Sequence, residues 1–217
     1  MNFAWLDRWM GESRASKPGS GPPERNRVRL KGRYQIPKVG REPGYVWYVN
    51  PKVARTSILQ LLTAHTDCSP CKALDQQDFL MFFKFGFVRN PWDRLVSCYF
   101  SKVVEMENRK FPDFSGSEFR DFVGYVERCD LRGGDRHYRL QSVLVPVDTV
   151  DFVGRFESFE RDARLVCTRL GLPVVELPHR NRSGHRHYVE YYDATLRRRV
   201  AALYAQDIET FGYSFEG

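Results

Sequence analysis

Two stretches of this chain follow the same order of features: an apolar strand, a short polar turn and an amphipathic helix. The first runs from YVWYVN (residues 45–50) through PKVART into SILQLLTAH. The second runs from FLMFFKFGFV through RNP into a helix that opens with Pro91 and Asp93, residue types that suit a helix start. Continuous apolar strands alternating with helices are typical of sheets covered on both faces. The order therefore predicts an α/β fold with a mainly parallel central sheet flanked by helices.

The rest of the chain continues the alternation. SEFRDFVGYVE (117–127) has a helical period, and TVDFVGRF (149–156) has the composition of a third strand. RCDLRGGDRHY between them indicates a loop because of its paired glycines. We expect Ser158 to cap the next helix and Gly171 to end it, and Asp193 and Gly212 to bound the last one.

Charge divides the chain into two parts. Residues 1–44 hold ten Lys/Arg and four Asp/Glu, so they carry nearly all of the net charge of +7. That stretch is rich in Pro, Gly, Ser and Arg, which predicts a flexible basic leader before a single domain over residues 45–217. The leader is either a solubilising segment or an arm that binds polyanions. The near-neutral domain predicts no nucleic-acid partner.

Hydropathy and cysteine usage predict a cytoplasmic protein. No apolar run reaches the roughly 18–20 residues of a membrane span, so no transmembrane segment is expected, and MNFAWLDRWMGES lacks a signal pattern. Five cysteines are an odd number and favour free thiols in a reducing compartment. Trp5, Leu6, Trp9 and Met10 lie at helical spacing, which leaves peripheral contact with a membrane open as an alternative to docking on the domain.

The turn after the first strand is a candidate anion site. A helix start offers unpaired N–H groups and a partial positive charge to an anion. Lys52 adds a point charge, and Thr56 and Ser57 add hydroxyl donors. The Walker pattern GxxxxGK[ST] is absent, which disfavours an ATP site. An ordinary capped helix start explains this segment about equally well.

The turn after the second strand is the other candidate. Arg89 ends the strand, and Ser97 lies about 9 Å along the helix from Pro91 at about 1.5 Å per residue. One phosphate could therefore bridge Arg89 and Ser97. Either residue alone would favour a structural role, with Arg89 capping the sheet edge and Ser97 facing solvent, and only their combination with the first turn outweighs it. Ligands of α/β sheets bind beyond the carboxyl ends of strands, so two neighbouring anion sites suit a nucleotide phosphorylated at both ends of its ribose.

PKVARTS followed by FVRNPWDRLVSCYF resembles the 5′-phosphosulfate loop and the 3′-phosphate motif of sulfotransferases that use 3′-phosphoadenosine 5′-phosphosulfate (PAPS). The resemblance is closest to the carbohydrate type, including chondroitin 4-O-sulfotransferases and bacterial relatives. It covers roughly residues 45–215, because DFVGRFESF and YAQDIETFGYSF are also similar. Arg55 departs from the family, whose members often have a small residue there. The chain length and the expected lack of an anchor suggest a soluble, bacterial form.

The resemblance implies a P-loop-like three-layer fold and transfer of a sulfuryl group from PAPS to a hydroxyl group, with a glycan or glycolipid as acceptor. No metal is expected, because a sulfuryl group carries less charge than a phosphoryl group. The implied donor-binding residues are Lys52, Val53, Ala54, Arg55, Thr56, Ser57, Arg89, Ser97, Arg182 and Ser183.

Catalysis requires a cation near the leaving phosphate and a base near the acceptor hydroxyl. Lys52 is the expected cation. His65 lies about 13 Å along the first helix from its start, too far for the base. The resembling family has a histidine in a setting similar to that of His137, so we predict that His137 is the base. Glu157 is the second candidate for the base. The alternative for His137 is an exposed loop histidine without a catalytic role.

Three other functions remain open at this point. His65, Cys68 and Cys71 have spacings that zinc could accept, but a fourth ligand is missing from the pattern. The alternative enzyme is a nucleotide-dependent small-molecule kinase, which would need Mg²⁺. The alternative without catalysis is a polyanion-binding protein that uses the basic leader.

Overall fold

The computed structural model describes residues 27–30, 36–107, 109–173 and 186–216. The strands are β1 (Arg27–Arg29), β2 (Lys38–Arg41), β3 (Gly44–Tyr48), β4 (Ser69–Pro70), β5 (Ala73–Asp75), β6 (Phe83–Val88) and β7 (Phe152–Arg155). The α-helices are α1 (Arg55–His65), α2 (Gln76–Met81), α3 (Pro91–Tyr99), α4 (Phe119–Val126), α5 (Gln141–Leu144), α6 (Phe159–Leu170), α7 (Ala194–Leu203) and α8 (Ala205–Phe211).

The central sheet has five strands in the order β4-β2-β3-β6-β7. β3, β6 and β7 are parallel, whereas β2 is antiparallel to both β3 and β4. The sheet is therefore mixed, and the prediction of a mainly parallel sheet describes only its β3–β6–β7 half. The difference arises because β2 and β4, with the sequences KVGR and SP, are too short and too polar to show a strand pattern.

Helices cover both faces of the sheet because alternate residues of β3 point to opposite sides. Tyr45 and Trp47 pack in one cluster with side chains of α1 and α6. Val46 and Tyr48 pack on the other face with Val145, next to α5, and with Phe211 at the end of α8. The described part of the chain is thus an α/β structure in which the sheet lies between helices.

A second core lies beside the sheet and is built from helices and the loops that join them. α3, α4 and α7 pack around an aromatic cluster that includes Phe122, Tyr99 and Trp92. The chain from Ser214 to Phe215 closes this core: Phe215 packs edge-to-face on Trp92 at 5.6 Å, and the Ser214 carbonyl accepts a hydrogen bond from Asn90 at 2.8 Å. The start of α3 is therefore held between the sheet and the helical core.

Most helix boundaries agree with the sequence. Pro91 is the first residue of α3, and Gly171 and Gly212 end α6 and α8 in left-handed conformations at φ 64° and 62°. Asp193 caps α7 by accepting a hydrogen bond from the N–H of Leu196. The last predicted helix is interrupted at Tyr204, which separates α7 from α8.

The structure differs from the sequence predictions in three local details. The run FLMFFKFGFV is a strand only from Phe83 onward, because Asp75 caps α2 and draws the first apolar residues into a helix. Ser158 occupies the N-cap position of α6, as predicted, but its side chain makes no hydrogen bond to the helix. Strands β1 and β2 lie within residues 1–44, the stretch predicted to be a flexible leader, and β2 belongs to the central sheet. Within the described ranges, no helix has the length and apolar character that crossing a membrane requires.

Candidate functional site

The turn between β3 and α1 adopts a backbone that usually requires glycine. Lys52 has φ 69° and Ala54 has φ 53°, both in the left-handed region. Left-handed residues next to helical ones turn successive N–H groups toward one side and create an anion-binding concavity. The sequence has no glycine here, which disfavoured a Walker loop, but Lys52 and Ala54 reach left-handed geometry without one. Each such residue costs about 1–2 kcal/mol, so the surrounding contacts must hold the turn.

The N-terminus of α1 receives no side-chain cap from the described residues. Ala54 occupies the N-cap position, and the first turn holds no acidic residue. The N–H of Ile58 is bonded to the Ala54 carbonyl at 3.1 Å, so the N–H groups before it lie outside the helical ladder. Thr56 is exposed and Ser57 is buried. The helix start therefore offers unpaired donors at the same turn as Lys52.

Lys52 is a partly buried cation without an ion-pair partner among the described residues. Burial is the main cause that lowers the pKa of Lys52 from 10.5 to about 8. Arg89 and Lys102 lower this pKa further, whereas Cys98 and Glu105 act in the opposite direction. An anion in the turn would recover the free energy lost by the buried charge.

Arg89 joins the second turn to the first. Its guanidinium binds both carboxylate oxygens of Asp93, at 2.7 and 2.8 Å, and donates to the Lys52 carbonyl at 3.1 Å. It also lies 4.0 Å from the centre of the Phe156 ring. These bonds use three of the five N–H groups of an arginine. The structure therefore brings the two predicted anion sites into contact, with Ser97 buried in the second turn of α3.

Gln141 fixes the strand ends that carry these turns. Its side-chain oxygen accepts from Asn50 at 2.9 Å and from the N–H of Arg89 at 3.0 Å, and its amide donates to the Arg89 carbonyl at 2.7 Å. Gln141 is completely buried. Since Asn50 follows β3 and Arg89 follows β6, this side chain holds the two turns in one register.

His137 is a buried, oriented imidazole with 9% of its surface exposed. Its Nδ1 lies 2.6 Å from an oxygen of Asp135, which also accepts the backbone N–H of His137 at 2.8 Å. This partner places the proton on Nδ1 and leaves Nε2 as an acceptor. Burial lowers the pKa of His137 although Asp135 acts to raise it. The alternative of an exposed loop histidine is wrong.

Asp135 is itself held in the ionised form. Its other oxygen lies 2.9 Å from Lys110 Nζ. Burial would raise the pKa of Asp135, but the hydrogen bonds from His137 and Lys110 outweigh burial and hold that pKa well below its usual range. An ionised carboxylate on Nδ1 is the arrangement that makes the opposite nitrogen of a histidine a base. Asp135 was not predicted from the sequence, although the spacing Asp-x-His was visible.

Arg94 connects the His137 segment to the Lys52 turn. This buried side chain donates to the carbonyls of Pro51 at 3.2 Å, Arg139 at 2.8 Å and Arg136 at 3.0 Å. The residues on either side of His137 are therefore bonded to the same side chain as the residue before Lys52. Arg94 could not be predicted from the sequence, because its hydrogen-bond partners lie more than 40 residues away along the chain.

Other predicted residues lie elsewhere. Glu157 accepts hydrogen bonds from the N–H of Asn90 at 2.6 Å and from Tyr213 at 3.1 Å, so it supports the start of α3. Cys68 is a free thiol, and the described ranges contain no cluster of His, Cys, Asp and Glu arranged for a metal. Arg182 and Ser183 lie outside the described residues.

Comparison with known proteins finds one family that matches most of the chain. The sulfotransferase family model matches residues 46–214. Carbohydrate sulfotransferase 14 of Danio rerio is 28% identical over 161 residues, which cover 61% of this chain and 44% of that protein. Carbohydrate sulfotransferase 10 of Homo sapiens is 24% identical over 178 residues, which cover 64% and 49%. The chain spans about half the length of these curated relatives.

One solved structure also matches. It is the crystal structure of a sulfotransferase from Alicyclobacillus acidocaldarius, with a TM-score of 0.40 and 22% sequence identity over 59% of this chain and 52% of that one.

Proposed function

The chain belongs to the sulfotransferase family, and we propose that it transfers a sulfuryl group from PAPS to a hydroxyl group of a carbohydrate. The names of two relatives, carbohydrate sulfotransferases 14 and 10, support a glycan or glycolipid as acceptor. The described residues fit an anionic nucleotide donor at the turn after β3, where a partly buried lysine lies beside the uncapped start of α1. The observation that carries the proposal is this lysine, which has no counter-ion in the part of the chain that the structure describes.

In this proposal the residues from Lys52 to Ser57 hold the 5′-phosphosulfate. The N–H groups at the start of α1 and the Lys52 ammonium supply the donors and the positive charge. Val53, Ala54 and Arg55 contribute through the backbone of the turn, and Thr56 is exposed beside it. The role of Lys52 in catalysis is to stabilise the charge that develops on the leaving phosphate.

Arg89 and Ser97 take the 3′-phosphate in the same proposal. Arg89 keeps two N–H groups beyond the three used within the described residues. Its contact with the Lys52 carbonyl at 3.1 Å supports a single nucleotide that touches both turns. Arg182 and Ser183 remain proposed as further donor contacts on the resemblance alone.

His137 is the proposed base. PAPS supplies the sulfuryl group when bound. The Nε2 of His137 accepts the proton of the acceptor hydroxyl. The hydroxyl oxygen bonds to sulfur while the bond between sulfur and the phosphate oxygen of the donor breaks. Asp135 keeps the Nδ1 proton in place and stabilises the imidazolium that forms. Lys52 offsets the negative charge on the departing nucleotide, so charge and protons balance.

Calorimetric titration tests the donor site. We expect 3′-phosphoadenosine 5′-phosphate to bind at least about tenfold more tightly than AMP, because it engages both turns. Lys52→Met should weaken this binding about 10- to 100-fold, whereas Lys38→Met on β2 should leave it unchanged. Equal affinity for AMP and the bisphosphate would refute the two-turn donor site.

Transfer of radioactive sulfate from labelled PAPS to a panel of glycans tests the reaction. We expect labelled product in the presence of a metal chelator, since the proposed residues supply all of the positive charge. Activity that requires Mg²⁺ and ATP in place of PAPS would support the kinase alternative. His137→Asn should abolish transfer and leave nucleotide binding intact.

A further inference from the structure

We propose that Arg94 is a positioning residue that couples occupancy of the donor turn to the placement of His137. The inference rests on the proposed roles of Lys52 and His137. It concerns a residue that faces neither the nucleotide nor the acceptor, because Arg94 is only 2% exposed. Arg94 acts through the carbonyls that it binds.

Two arginines, one between β6 and α3 and one within α3, hold successive carbonyls of the strained turn. Arg94 donates to the Pro51 carbonyl at 3.2 Å, and Arg89 donates to the Lys52 carbonyl at 3.1 Å. These carbonyls belong to the two peptide groups on either side of the α-carbon of Lys52, whose φ is 69°. Hydrogen bonds to both peptide groups hold Lys52 in the left-handed conformation, which would otherwise relax to a more favourable backbone.

The remaining two bonds of Arg94 reach the base segment. They go to the carbonyls of Arg136 and Arg139, which bracket His137 in sequence. The carbonyl of Tyr138 is held separately, by the hydroxyl of Tyr204 at 2.7 Å. Arg94 therefore belongs to a rigid set of bonds around the histidine, and it is the member that also reaches the donor turn.

The chemistry of Arg94 favours a role in linking the donor turn to the His137 segment over a role in filling the core. No carboxylate among the described residues lies within ion-pair distance of it, and its hydrogen bonds there all go to backbone oxygens. A buried charge without an ionic partner is costly compared with an apolar side chain of similar size. The planar fork of guanidinium donors reaches carbonyls in two segments at once, which a lysine ammonium cannot reproduce.

The consequence is a two-way link between donor and base. An anion that draws in the N–H groups after Lys52 shifts or stiffens the Pro51 peptide, and Arg94 transmits the change to residues 136–139. Donor binding should therefore order the His137 segment before the acceptor arrives. Such a link is reciprocal, because coupling between two sites acts equally in both directions.

Hydrogen exchange on the full, unmodified chain tests the link without a variant. We expect 3′-phosphoadenosine 5′-phosphate to slow amide exchange both in residues 51–57 and in residues 135–139. The amides of β2 serve as the internal control, because Val39 of β2 packs in a cluster whose described members include no residue of either segment. Slowed exchange in 51–57 with no change in 135–139 would overturn the coupling but leave the donor site intact. No slowing in either segment would overturn the donor site and the coupling together.

Arg94→Lys tests the role of the guanidinium fork. We expect the variant to bind the bisphosphate within about threefold of the parent, to lose the exchange response of residues 135–139, and to lower kcat about 10- to 100-fold. Arg199→Lys is the matched control, since Arg199 makes a bidentate contact with Glu127 outside the site. An unchanged kcat together with the parent exchange response would overturn the proposal, and so would a rise in donor KM with no loss of kcat.

Discussion

The pH dependence of sulfuryl transfer should be bell-shaped, with an alkaline limb set by Lys52. Burial lowers the pKa of Lys52 to about 8, so roughly nine-tenths of the side chains are charged at pH 7 and roughly one-tenth at pH 9. The ammonium is the form that binds an anion. The value of kcat/KM for the donor should therefore fall through a midpoint near pH 8.

The size of the effect follows from the burial of the amine. A fall in pKa from 10.5 to about 8 corresponds to at most about 3 kcal/mol against the charged form in the free protein. A phosphate in the turn favours the charged form and offsets that cost. The alkaline limb of kcat, which reports the donor complex, should accordingly lie at higher pH than the limb of kcat/KM.

The acid limb should come from His137. Burial lowers its pKa below 6.5, so the neutral form that accepts a proton prevails at pH 7 and is lost as the pH falls through the lowered pKa. The acid midpoint should thus lie below pH 6.5. Between the two limbs kcat/KM should be constant, because the imidazole of His137 is neutral and the amine of Lys52 is charged.

Lys52→Arg separates these two groups in one assay. Initial rates with labelled PAPS, measured from pH 5 to pH 10 at constant ionic strength, give kcat/KM for parent and variant. A guanidinium stays charged throughout this range, so the variant should lose the alkaline limb and keep the acid limb. Lys38→Arg should keep both limbs. An alkaline limb with an unchanged midpoint in Lys52→Arg would refute the assignment.

Three further outcomes follow from other contacts of the site. Asp135→Asn should lower kcat about 100-fold and move the acid limb to lower pH, because Asp135 acts to raise the pKa of His137; the pH profile of kcat/KM measures both. Glu157→Gln should reduce the free energy of unfolding in urea by about 1–2 kcal/mol, because the N-terminus of α3 loses a charge-assisted hydrogen bond. Gly86→Ala should destabilise by about 1–3 kcal/mol in the same assay, because a Cβ would lie 2.6 Å from a methyl group of Val145.

The sequence predicted those parts of the fold that local patterns determine. β3 and β6 are apolar runs, and α3 begins at the Pro91 that fits only a first turn, so each is visible in a short window. β2 and β4 have no such pattern, since they exist through pairing with β3 and with each other. The mixed character of the sheet could not be predicted for that reason.

In the candidate site, too, the residues next to a recognisable strand could be predicted, whereas those that depend on distant contacts could not. Lys52 and Arg89 could be singled out because each follows a recognisable strand. Arg94 could not, because its partners lie 42 to 45 residues away in sequence. The burial of His137 could not be predicted either. A loop sequence with paired glycines does not reveal that Arg94 and Tyr204, both distant in sequence, bind the carbonyls next to this histidine.

Lys52 and Ala54, the two left-handed residues of the turn after β3, differ in what their side chains contribute. Ala54 supplies only backbone, so glycine at this position would relax the turn and leave the chemistry in place. Glycine at position 52 would relax it equally but remove the ammonium. A substitution that stabilises the fold is therefore available at position 54, whereas at position 52 it would remove the ammonium that the proposed function requires.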